Sequence, residues 1–533
     1  MASLHHLRRL CAIAATVFWT VSFAGAQTSP TIDLGYAQYQ GAVNTANNIT
    51  HFLGIRYAAA PLGDLRFRAP QAPANTTGVQ PATVQPNECL QAPTGRSPTN
   101  PFETRAAEII ATEDCLFLNV YYPSDGAGTP LADLPTLVWI HGGGYLAGAA
   151  SSFNGEDIVR QSKRGVVVVL IQYRLGVFGF LPGAAVKENG ALNAGLLDQD
   201  FALRWVNQHI SKFGGDPSKV TIWGESAGAG SVLQQVIANG GQTEPQLFRG
   251  AITSSTFLPS QYNFNDRIPE LLFSEVVAQT NCTTAMDAMA CLRAADATVL
   301  ENANNNINAA GFFGTFPMVP VVDGVFITQR PILSLLEGKV NGEALLAVTN
   351  TFEGTAFVNQ SVVVTAAQYS LDLFPGFSTA QADAVGSLYA DLGTELFQVD
   401  AVQGESIFIC PTYYLLDAFP GRSFKGEFAV PPGLHGNDVA YYFPGSSTPP
   451  FNNTAFINAF AQSFTSFIIN LDPNIKVDPT TITPPWNKFN ISDTEMLFNR
   501  TAAGVPVVQP ITTSDALLER CRFWNSVGNL TGQ

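Results

Sequence analysis

A chain of 533 residues that is 46% apolar and only 13% charged buries a large core, which excludes a disordered or low-complexity protein. Its 42 acidic residues against 27 basic ones give a formal charge of -15, which excludes a nucleic-acid backbone as partner because like charges repel.

The first element is a leader. His5, His6, Arg8 and Arg9 precede an apolar run from Leu10 to Phe23 and the small residues Ala24-Gly25-Ala26, the plan of a secretory signal cleaved after Ala26. The run is shorter than the ~18 residues of a membrane span, so an anchor is set aside, and no later stretch is long enough to cross a bilayer. Loss of residues 1–26 removes Arg8, Arg9 and no acid, so 25 basic residues (27 less two) face 42 acidic ones.

Cys11 leaves with the leader. The six remaining cysteines, Cys89, Cys115, Cys282, Cys291, Cys410 and Cys521, suit three disulfides in an oxidising compartment. Closeness pairs only Cys282 with Cys291, and the connectivity of the rest stays open. No C-x-x-C or H-x-x-x-H spacing occurs, so no metal site is predicted. Glycan acceptor triplets begin at Asn48, Asn75, Asn281, Asn359, Asn452, Asn490, Asn499 and Asn529, in keeping with an extracellular protein.

No repeat, heptad run or low-complexity linker divides residues 27–533, so one large catalytic domain is predicted, with Pro-rich surface loops at 70–101 and 443–450. Within it, the runs 136–140 and 166–171 are short, continuous and β-rich, the pattern of strands buried on both faces of a mostly parallel sheet. Leu203, Val206 and Ile210 fall at helical spacing, Gly214-Gly215-Asp216-Pro217 breaks that helix, and a strand follows at 220–223. A further core strand at 344–348 runs into a polar turn containing Glu353. Strands alternating with helices predict an α/β fold, with function at the carboxyl ends of the strands.

Gly224-Glu225-Ser226-Ala227-Gly228 is a G-x-S-x-G turn between a strand and an apolar helix. Such a turn lifts the serine hydroxyl above the sheet, where a carbonyl can reach it. The serine needs a base, and in this fold the chain order is serine, acid, histidine. His51, His141 and His209 all precede Ser226, so His435, in the loop 431–438, is the predicted base. Glu353 lies between the two at a strand end and is the predicted acid; Asp323 is the runner-up, and Glu405 and Asp438 are read as structural carboxylates. His141-Gly142-Gly143-Gly144 follows a strand, so the backbone N–H groups of Gly143 and Gly144, with that of Ala227, are the predicted oxyanion donors.

Together these residues resemble the type-B carboxylesterase and lipase family, from about residue 35 to the end. Phe213-Gly214-Gly215-Asp216-Pro217 through Gly228 is similar to its serine signature, and Glu113-Asp114-Cys115-Leu116-Phe117-Leu118-Asn119-Val120 to its second signature. Further similarity lies at 52–57, at Leu65-Arg66-Phe67 and at 193–199. The resemblance implies an α/β-hydrolase fold with a large, mostly parallel central sheet flanked by helices. It also implies the disulfides Cys89–Cys115, Cys282–Cys291 and Cys410–Cys521. No tryptophan stands between Cys89 and Cys115 to hold a quaternary ammonium, which disfavours a cholinesterase. The stretch 106–111 is read as a short lid helix or a plain surface helix. Thr256 stands where the family pattern has glycine, which bears on the acyl pocket, and Phe312-Phe313-Gly314-Thr315-Phe316-Pro317 is a candidate wall for an acyl or aryl group.

The expectation is a secreted carboxylesterase or lipase that hydrolyses small-molecule or lipid esters through an acyl-enzyme, without metal or cofactor. The alternatives are a secreted binding protein on the same scaffold and an amide hydrolase using the same triad.

Overall fold

The computed structural model describes residues 29–96, 111–361, 363–489 and 493–533. The predicted leader, residues 106–110 of the candidate lid stretch and the candidate acceptor Asn490 lie outside the described residues.

Eleven strands form the main sheet. In chain order they are β1 (Ala42–Asn44), β2 (Ile49–Arg56), β3 (Phe117–Pro123), β4 (Leu134–Ile140), β5 (Val167–Ile171), β6 (Gly215–Glu225), β7 (Gly250–Ser254), β8 (Ala344–Asn350), β9 (Ser423–Phe428), β10 (Thr494–Arg500) and β11 (Pro506–Thr512). Across the sheet the order is β11-β10-β9-β8-β7-β6-β4-β5-β3-β2-β1. Neighbours from β10 through β5 pair in parallel, while β11 at one edge and β3, β2 and β1 at the other pair antiparallel. This is the predicted mostly parallel sheet with helices on both faces.

The apolar runs are continuous because each parallel strand faces a core on both sides. In β5, Val167, Val169 and Ile171 enter one core and Val168 and Leu170 the other; in β4, Val138 and Ile140 oppose Leu137 and Trp139. A two-residue side-chain period then reads as unbroken hydrophobicity. The predicted helix spans Ala194–His209 and runs on as a tighter turn over Ile210–Phe213, stopped by Gly214 at φ 82°. The Gly215-Asp216-Pro217 breaker differs from expectation. Gly215 already pairs with Leu134, and the register shifts before Val220, so these residues form an irregularity inside β6 and not a separate loop.

All three disulfides are present as the resemblance implied: Cys89–Cys115, Cys282–Cys291 and Cys410–Cys521. Bidentate ion pairs account for several of the quoted motifs: Arg56 with Asp114, Arg66 with Glu113, and Arg174 with Asp198. Among the described residues no helix is long and apolar enough to cross a membrane.

Candidate active site

Parallel pairing brings three strand ends together. Glu225 of β6 pairs with Ser254 of β7, which is itself level with Val348 of β8, so Ser226, Ser255 and Glu353 emerge at one rim of the sheet. Ser226 takes φ 57° and ψ -124° and opens the buried helix Ala227–Ile237, the strained corner expected of a nucleophile elbow. The flanking glycines are obligatory. A Cβ on Gly224 would lie 2.3 Å from the Gly228 carbonyl, and one on Gly228 would lie 2.0 Å from the Ile140 oxygen.

The loop after β4 turns on Gly143 at φ 101° and Gly144 at φ 65°. A Cβ on Gly142 would sit 3.0 Å from that of Ser226, which puts this loop beside the serine, and the Phe316 ring covers Gly144, where a Cβ would be 2.0 Å from the ring. The N–H groups of Gly143 and Gly144 donate to no backbone carbonyl among the described residues, and that of Ala227 belongs to the first, unpaired turn of its helix. His141 anchors the loop from beneath: its ring stacks on Tyr173 and its Nδ1 bonds the Gly142 carbonyl at 2.9 Å. Burial pushes its pKa down to about 4, so this imidazole is neutral.

Glu353, 1% exposed, accepts from His435 Nδ1 on Oε2 at 2.6 Å. Its other oxygen, Oε1, accepts from the Ser255 hydroxyl at 2.7 Å and from the Asn350 backbone N–H at 2.6 Å. His435 Nε2 is buried without a hydrogen-bond partner and lies 3.4 Å from Oε1 of Glu225, the residue before Ser226. Burial opposes protonation of His435, but Glu353, Glu225 and Asp438 outweigh it and raise its pKa above the ordinary value. Burial also pushes Glu225 up to about 7, with His435 opposing and Asp438 and Glu353 adding to the rise. Asp438 is held by the Asn350 amide and the Tyr442 hydroxyl, behind the imidazole.

The imidazole is boxed by Phe357 and Phe408, with ring centroids 4.8 and 4.5 Å away. Phe408 stacks on Phe257, and Phe257 and Phe357 both meet Phe316 edge-on. On the far side of Phe257 and Phe316 opens a cavity of about 270 Å³, also walled by Phe312, Phe374 and Ile407. The predicted aromatic segment therefore lines a cavity two ring layers from His435, beyond Phe357 and Phe408 and then Phe257 and Phe316. Thr256 does not: it is buried, with its hydroxyl on Thr253 Oγ1 at 3.0 Å, and its neighbour Phe257 forms the wall.

The other carboxylates considered have structural settings. Asp323 caps a turn, accepting from the Val325 and Phe326 N–H groups and the Asn193 amide. Glu405 takes both guanidinium donors of Arg520. Sequence reasoning missed Ser255, Asn350, Phe357 and Phe408, and treated Glu225 as a spacer; an acid beside a nucleophile was the one available signal among them. The candidate acceptors Asn48, Asn75, Asn281, Asn452 and Asn529 are exposed, and Asn359 and Asn499 are half-buried.

Residues 28–524 match the model of the carboxylesterase family. Carboxylesterase patB of Aspergillus clavatus is 29% identical, over 93% of this chain and 96% of that protein. Secreted lipase 1 of Botryotinia fuckeliana is 35% identical over 61% of this chain and 60% of its own length. That match thus spans under two thirds of the lipase. The crystal structure of Aspergillus niger EstA superposes with a TM-score of 0.83 at 29% identity, covering 95% of this chain and all of that one. The chain belongs to the carboxylesterase family, a family of carboxylic ester hydrolases with the α/β-hydrolase fold.

Proposed function

We propose that this is a secreted serine hydrolase, acting as a single catalytic domain on carboxylic esters with an apolar acyl or aryl group. The observation that carries the reading is the buried Glu353–His435 hydrogen bond with His435 Nε2 left unpaired beside the Ser226 elbow.

In this mechanism His435 Nε2 takes the proton of Ser226 as Oγ attacks the ester carbonyl, and Glu353 stabilises the imidazolium through Nδ1–H. Gly143, Gly144 and Ala227 donate to the oxyanion of the tetrahedral intermediate. His435 returns the proton to the leaving alcohol, giving an acyl-enzyme. Water, activated by the same imidazole, attacks the acyl carbon and frees the acid and Ser226. The aromatic cavity receives the larger apolar group of the substrate.

Secretion is supported by the leader pattern, the three disulfides and the names of relatives such as Secreted lipase 1. The exposed acceptor asparagines are the proposed glycan sites.

The test is hydrolysis of p-nitrophenyl esters from acetate to palmitate by wild type and folded Ser226→Ala. A chain-length profile in wild type and loss of activity in the variant support the reading. An inert wild type favours a binding protein instead, and equal activity of both proteins removes Ser226 from the mechanism.

A further inference from the structure

Of the polar residues that line the aromatic cavity, Gln403 is the one that is buried. Gln403 lies on the helix Glu395–Gly404, is 3% exposed and lines the cavity among Phe257, Phe316, Leu373 and Ile407. The hydroxyl of buried Tyr369 donates to its Oε1 at 3.0 Å, which orients the carboxamide and leaves Nε2 as the free end. That NH2 group makes no hydrogen bond to any described residue.

That donor is accessible to the cavity, and a purely apolar ligand would strip it of water without replacing the hydrogen bond, which is costly. A hydrocarbon side chain here would suit a plain acyl chain better. The lining charges narrow the choice of partner. No Lys or Arg among the described residues lines the cavity, and Asp372 is its one charged lining residue, exposed and accepting from Gln368. A ligand carboxylate would meet repulsion there without a cation to offset it. The fitting partner is a neutral oxygen acceptor such as an ether, carbonyl or hydroxyl oxygen. The phenylalanine walls suit an aromatic ring carrying it.

We propose that Gln403 is a specificity-determining residue whose carboxamide N–H recognises a neutral hydrogen-bond acceptor on the aryl-bearing group that enters this cavity. The proposal rests on the ester-hydrolase reading above and refines its substrate class: oxygen-substituted aryl esters are preferred over plain acyl or phenyl ones. Discrimination arises because a site built around a donor penalises the analogue that leaves the donor unpaired.

The experiment compares kcat/KM for p-nitrophenyl 3-phenylpropanoate with its 3- and 4-methoxy derivatives, in wild type, Gln403→Met and Gln403→Glu. The ratio within each protein cancels differences in the amount of folded enzyme, which a fluorophosphonate titration counts. Wild type is expected to favour at least one methoxy ester by about tenfold. Gln403→Met is expected to bring the ratio within about twofold of unity, and Gln403→Glu, which replaces the donor by an acceptor, to lower it at least as far. Should Gln403→Met fail to fold, Gln403→Glu alone reads the ratio. A wild-type ratio near unity, or a ratio unchanged in the variants, overturns the inference. Survival of p-nitrophenyl acetate hydrolysis in Ser226→Ala overturns the underlying reading instead, so the two failures are distinguishable.

Discussion

Ser255 Oγ donates to Glu353 Oε1 at 2.7 Å, on the carboxylate oxygen opposite the one that holds His435. Ser255 itself sits at φ 61° directly after β7, so the strand end aims its hydroxyl sideways at the neighbouring strand's acid. The carboxylate is thereby clamped on both oxygens, and its rotation, which would swing the imidazole away, is blocked.

Replacing Ser255 with Ala removes one clamp and leaves the Asn350 N–H in place. The expected result is a fall in kcat of about tenfold with KM little changed, because the imidazole is mispositioned while the cavity is intact. Steady-state kinetics on p-nitrophenyl butyrate measure it; a rise in KM at constant kcat would assign Ser255 to substrate binding.

The acid limb of the pH profile reports His435 coupled to Glu225, whose pKa burial pushes up to about 7. The base must be neutral to accept the serine proton, and its pKa is raised above 6.5 by the surrounding carboxylates against the effect of burial. kcat/KM therefore falls as pH drops through a midpoint above 6.5. Glu225 lies 3.4 Å from Nε2, so Glu225→Gln withdraws charge that favours the imidazolium and moves the limb to lower pH. A limb displaced to higher pH would contradict this electrostatic role.

At Gly144 a Cβ would meet the Phe316 ring at 2.0 Å, on a backbone already at φ 65°. Gly144→Ala must therefore shift both the loop and the ring. Loss of one oxyanion donor lowers kcat by on the order of 100-fold, and displacement of Phe316 changes the acyl-chain profile as well. A loss of rate with an unaltered profile would separate the oxyanion loop from the cavity wall.

Arg66 and Glu113, with side chains 7% and 6% exposed, form a bidentate pair, and Arg66 also donates to the carbonyls of Leu292, Arg293 and Ala295. Glu113→Ala leaves a buried guanidinium without its counter-charge and is expected to cost about 3–5 kcal/mol. Thermal scans at matched rate show it as a lowered midpoint. An unchanged midpoint would mean that the pair contributes no net stability.

Much of the rim was legible along the chain. Elimination by order reached His435, and a strand followed by a polar turn reached Glu353; the structure places the two in hydrogen-bond contact. What was not legible arises from pairing across the sheet. Ser255 and Glu353 are 98 residues apart and become neighbours only through the level register of β7 and β8. Likewise Phe357 and Phe408 box His435 from separate helical segments. Aromatic residues are common in any core, so nothing in their local sequence marked these two. The breaker at Gly215 misled for the converse reason: a local turn signal was absorbed by a strand whose partners tolerate an irregularity.

The most direct test of the central claim is intact-mass and peptide analysis after treatment with a fluorophosphonate, which Ser226 Oγ attacks at phosphorus with departure of fluoride. One adduct on the Ser226 peptide in wild type, none in Ser226→Ala, and labelling slowed by at least about 100-fold in His435→Gln is the predicted result. Labelling on another residue, or at an undiminished rate in Ser226→Ala, would contradict the assignment of Ser226 as the nucleophile.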